Sequence, residues 1–251
     1  MLKRREVVLG GLLTILWGAC PCVAEPARAS RTCGCMLSPK EAGRFLASTV
    51  GMPRQVTRDK PAIPSCGDKG LDFALAQTLY RLSETFGVVP GFAYYDDYDG
   101  PNAFAIGAPV MNNPDGTVLY GLRYLKAALK QREYPDIYVT SVCAHEFGHI
   151  VQYKRGLNLN AGQKTVKRSE LHADFLSGFY AGLLKLQRPK YPAAVFAAQE
   201  YSVGNFDYSA PNFHGTPDER ARAVVRGFET AYRERRSLNE AIEVGIKYVQ
   251  S

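Results

Sequence analysis

The segment His145-Glu146-Phe147-Gly148-His149 constrains this chain more than any other. Two histidines four residues apart share a face only if the backbone is helical. At 100° per residue they lie about 40° apart around the axis, with Glu146 about 60° beyond His149. The rest of the stretch is apolar: Cys143, Ala144, Phe147, Ile150 and Val151 cover the opposite arc. Tyr138, Val139 and Val142 lie on the same sector as the polar group, one to two turns earlier. The His/Glu group therefore interrupts a helix that is otherwise buried. Burying imidazoles and a carboxylate without partners costs about several kcal/mol, which a bound cation offsets. The spacing is H-E-x-x-H, in which two neutral imidazoles converge on zinc and the glutamate overlooks the open coordination position as a general base.

Such a site needs a third ligand. A Gly and a His further along the same helix would supply it in metzincins, but Gln152 and Arg155 stand there. The next candidate is Ser169-Glu170-Leu171-His172-Ala173-Asp174. Glu170 and Asp174 share a helix face that Ser177 and Ala181 continue, and those small residues allow a close helix approach. Glu170 is suited to the metal, and Asp174 to accepting the free N–H of a ligating histidine. His172 points about 200° away from Glu170, towards Phe175 and Phe179, and is not expected to bind.

These stretches resemble the gluzincin class of metallopeptidases, in which H-E-x-x-H is followed on a second helix by E-x-x-x-D. The similarity is closer to the bacterial neutral zinc metallopeptidases and the CAAX-prenyl-protease-like peptidases. It is carried by Ala144–Gln152, Glu170–Gly178 and His214–Ala223, with a strand at Asn102–Ala105. The resemblance implies a zinc-dependent endopeptidase with zinc on His145, His149 and Glu170. Peptide bonds would be hydrolysed through a metal-bound water, with Glu146 as general base. It also implies a substrate-facing role for His214, just before the Thr216 helix cap; Tyr201 and Tyr208 are weaker candidates for the same work. The substrate would be a protein or peptide. The alternative is a non-hydrolytic zinc-containing binding or scaffold protein of the cell envelope, against which the intact Glu146 argues.

The fold class expected is α+β: a mainly helical, zincin-like catalytic domain with a small, mostly antiparallel sheet. Helical periodicity marks 71–86. Short aromatic or β-branched runs at 91–95, 102–106 and 117–120 read as strands. Helices are expected at 122–131, 137–154, 169–186, 191–203, 217–234 and 237–249. Thr216, Pro217 and Glu219 form a capping-box start.

Three parts are expected: a signal peptide at 1–24, an irregular segment at 25–69 with a short helix at 38–50, and the catalytic domain at 70–251. Lys3-Arg4-Arg5 precedes an apolar run from Val7 to Ala19 that is too short to span a bilayer. Export to the periplasm or the extracellular space follows, and the arginine pair fits a twin-arginine route loosely. Gly18-Ala19-Cys20 resembles a lipoprotein signal, so a lipid anchor at Cys20 is a minor alternative. A disulfide from Cys66 to Cys33 or Cys35 is expected in an oxidising compartment. The net charge of +7 is spread along the chain with no aromatic-interleaved basic block, which argues against nucleic-acid partners. Oligomeric state is not legible in the sequence.

Overall fold

The computed structural model describes residues 61–109 and 113–251. All belong to one compact unit, Met36–Ser251. The expected signal peptide, the helix at 38–50, and Cys20, Cys33 and Cys35 lie outside the described residues. So does one end of the expected disulfide; Cys66 and Cys143 are both unpaired among the described residues. No helix among these residues is long and apolar enough to cross a membrane.

Helix α1 spans Lys69–Phe86. Asp68 caps it by accepting the N–H groups of Gly70 and Leu71, and Gly87 ends it at φ 62°. Its Leu75, Leu79, Leu82 and Phe86 form the buried stripe that the sequence periodicity predicts. Three strands follow: β1 Gly91–Tyr95, β2 Ala103–Ile106 and β3 Thr117–Gly121, in the order β1-β3-β2. The α+β, mainly helical class is the one adopted. The pairing within the sheet is mixed rather than mostly antiparallel: β1 runs parallel to β3, and β2 antiparallel to it. The chain returns from β1 as β2 one strand's width away, and β3 enters the gap between them.

The two sheet edges differ. The outer edge of β1 is covered by Ile63, whose N–H and C=O both bond to Tyr94, at 2.7 and 2.9 Å. The outer edge of β2 carries no strand among the described residues. Gly121 donates its N–H to the Asn102 carbonyl at 2.9 Å, which sets the antiparallel alternation. By that alternation Ala103 and Ala105 turn their N–H and C=O groups to this edge, where the Tyr153 hydroxyl donates to the Ala105 carbonyl at 3.4 Å.

The helical half comprises α2 Leu122–Leu129, α3 Pro135–Arg155, α4 Lys167–Gln187, α5 Ala194–Val203, α6 Pro217–Tyr232 and α7 Leu238–Gln250. Helix α6 starts with the capping box read from the sequence. One continuous core joins α1, the sheet and these helices through Leu79, Tyr120, Phe147, Phe175, Phe179 and Phe196. Each fully buried Leu or Phe contributes about 1.5–3 kcal/mol.

Helix α4 packs closely against two partners. A Cβ on Gly148 of α3 would lie 2.9 Å from the Ala173 Cα, so this glycine lets α3 and α4 approach. On the α6 side, Gly178 and Gly227 leave no room for a side chain against Val224 and Phe175 backbone carbonyls. These contacts set the distance between the helices that bear the site.

Candidate metal centre

Helix α3 presents His145 and Glu146 from within the protein; they are only 7% and 5% exposed. Helix α4, held against it at Gly148, presents Glu170 and Asp174. His145 Nε2 and His149 Nε2 lie 3.1 Å apart. The Glu170 carboxylate is 3.4 Å from each of them, by separate oxygens. Four-coordinate zinc at about 2.0–2.1 Å from its ligands has ligand–ligand separations of about 3.3 Å. The three groups thus converge at the spacing a tetrahedral cation requires, and the donor set of two imidazoles and a carboxylate suits zinc.

The tautomer of His145 supports this fit. Its Nδ1–H donates to Asp174 Oδ1 at 2.7 Å, leaving the Nε2 lone pair directed at His149 and Glu170. Burial by itself lowers the pKa of both histidines. For His145, Asp174 and Glu170 reverse that and hold it well above the usual value; for His149, Glu170 does so. Burial pushes Glu170 up, but the two imidazoles hold it well below the usual carboxylate range. The mutual dependence marks a cluster in which positive charge is favoured at its centre.

Glu146 differs from Glu170. Burial raises its pKa, and the nearby imidazoles only partly oppose this. No hydrogen bond ties its carboxyl to another described residue, so both oxygens remain free for chemistry. It lines a cleft of about 540 Å³, whose walls include Phe104 and Ala105 of β2, Tyr124 of α2, Val142 of α3 and Leu159.

His214 also reaches the cleft, with Nε2 3.8 Å from Glu170 Oε2 and a side chain 39% exposed. The Thr216–Glu219 capping box fixes the loop that carries it. Burial lowers its pKa, against the opposing pull of Glu170. Tyr201 and Tyr208 do not line the cleft; they are exposed at 52% and 62%.

Three functional neighbours escaped the sequence reading. Arg220 of α6 donates to both Asp174 oxygens at 2.8 Å and to Glu200 Oε2 at 2.7 Å. His145, Asp174 and Glu200 form a second converging acidic group, but the guanidinium occupies it. Burial raises Glu200 to about 7 despite that cation. The third is Gln152, whose Oε1 lies 3.1 Å from His149 Nδ1. The available signals were a charged residue inside the apolar run of α5 and an arginine one turn into α6; neither names its partner. His172 is fully buried away from the cluster, as expected, and burial lowers its pKa to about 4.

No family model, curated protein or solved structure matches this chain.

Proposed function

We propose that the protein is a zinc-dependent peptidase acting outside the cytoplasm, with the metal on His145, His149 and Glu170. The observation that carries this reading is the convergence of three donors at tetrahedral spacing beside a buried, free carboxyl in an open cleft. Zinc held there would lower the pKa of a coordinated water towards about 7 and polarise a carbonyl.

The chain's own residues supply the remaining work. Glu146 accepts a proton from the attacking water and hands it to the departing amine. Its raised pKa lets it hold that proton between the two transfers. Asp174 fixes the ring of His145 and stabilises positive charge behind it. The open edge of β2 offers the Ala103 backbone groups and the Ala105 N–H to an extended peptide, which would lie along the cleft as an added strand. A neutral His214 donates a hydrogen bond to charge developing on the carbonyl oxygen. Cys143, buried with its thiol pushed up by burial, takes no part.

Incubating the zinc-loaded protein with a mixed peptide library, beside Glu146→Gln, tests this. Cleavage by the wild type, reduced by at least about 100-fold in the variant, is expected. Equal cleavage by both would remove Glu146 from the mechanism. Zinc binding without cleavage by either would favour a binding or scaffold role.

A further inference from the structure

His149 has no carboxylate behind it. Its Nδ1 faces Gln152 Oε1 at 3.1 Å. The amide nitrogen of Gln152 lies 2.8 Å from the Ser169 carbonyl and 3.2 Å from His172 Nδ1. His172 Nε2 in turn faces the Ile242 carbonyl of α7 at 3.5 Å. Gln152 is 4% exposed and His172 fully buried, so their polar atoms depend on one another.

A backbone carbonyl can only accept, so the Ser169 carbonyl fixes the amide nitrogen of Gln152 on its side. The amide oxygen must then face His149, whose Nδ1 must carry the proton. His172 Nδ1, receiving an amide N–H, must be the acceptor, which places its proton on Nε2, towards Ile242. Each group has one consistent assignment, and the outcome leaves the His149 Nε2 lone pair free towards Glu170 and His145. The start of α4 is itself held: Asn160 bonds both the N–H and the hydroxyl of Ser169, at 3.1 and 2.7 Å.

We infer that Gln152 is the positioning residue for His149, and that a polar relay from α7 through His172 and Gln152 fixes the tautomer in which His149 binds metal. The inference rests on the metal reading for its function but not for its geometry. It makes the two ligands of α3 unequal. His145 is held by a charged carboxylate, whereas His149 is held by a neutral amide whose own orientation depends on α4 and α7.

The test combines zinc affinity, by competition with a chelator, with ¹⁵N spectra of the histidine rings in the full chain. The expected result is His149 bound through Nε2 with a protonated Nδ1, and His172 as the Nε2–H tautomer. Gln152→Leu should weaken zinc binding about 10–100-fold. Binding of His149 through Nδ1, an Nδ1–H tautomer at His172, or wild-type affinity in Gln152→Leu would overturn the relay. If the wild type binds no zinc, the metal reading fails. The ring spectra of the metal-free protein then still decide the relay, because Nε2–H at His172 supports it and Nδ1–H excludes it.

Discussion

The two walls of the cleft are built on different principles. In the helical wall, from α3, α4 and α6, Asp174 and Arg220 are held by several bonds each: Asp174 joins His145 and Arg220, and Arg220 also joins Glu200. The strand wall, at β2, has one fully paired side and one open side, with half-buried Phe104, Ala105 and Ile106. A metal centre needs donors held to within a few tenths of an ångström, which over-determined side chains provide. A peptide needs an edge that accepts many sequences, which backbone groups provide. On the proposed reading, the chemistry falls to the helical wall and substrate reading to the strand wall.

The largest effect is expected where the helical wall is cut. Arg220→Met leaves Asp174 and Glu200 buried without their cation, which should cost about 3–5 kcal/mol in denaturant unfolding. A loss below about 1 kcal/mol would mean that this wall is not held by its charges.

The next is a pH effect on the same wall. His172 protonates near 6.5 in an unfolded chain but only at about 4 when buried here. Between those values the unfolded chain binds the extra proton, so the contribution of His172 is full above about pH 6.5 and is lost as the pH drops towards 4. Glu200, raised to about 7, works in the opposite direction over much of the same range, so the effect is read as a difference: the metal-free wild type should lose about 3 kcal/mol relative to His172→Gln. Parallel stability–pH curves for the two proteins would contradict this.

The smallest belongs to the strand wall. Ala105→Pro removes one N–H from the open edge and none from the ladder to β3, so stability should change by less than about 1 kcal/mol. Catalytic efficiency should fall by up to about tenfold, mainly through KM. An unchanged KM would remove β2 from substrate binding.

The contrast between local and distant geometry also governs how much was legible in the sequence. His145, His149, Glu170 and Asp174 could be placed because a spacing of four on a helix fixes relative direction without knowledge of the fold. The helix start at Thr216 was legible through its cap; several other ends moved by one to three residues, as at Lys69, two residues before the expected start, and Ala194, three residues after it. The place of β3 was not legible, because strand order depends on which gap the chain enters, and no local residue encodes that. Arg220 and Glu200 sit 46 and 26 residues beyond Asp174 on other helices, and nothing in their neighbourhoods names the partner. Gln152 was in view as a residue that breaks a different ligand pattern, yet its role depends on His172 and Ser169 of α4.

X-ray absorption at the zinc edge of the purified, zinc-loaded protein tests the central claim most directly. The account predicts one zinc per chain, with two imidazole nitrogens and otherwise only oxygen ligands at about 2.0–2.2 Å. A sulfur ligand near about 2.3 Å, a single imidazole, or binding well below one zinc per chain would contradict it.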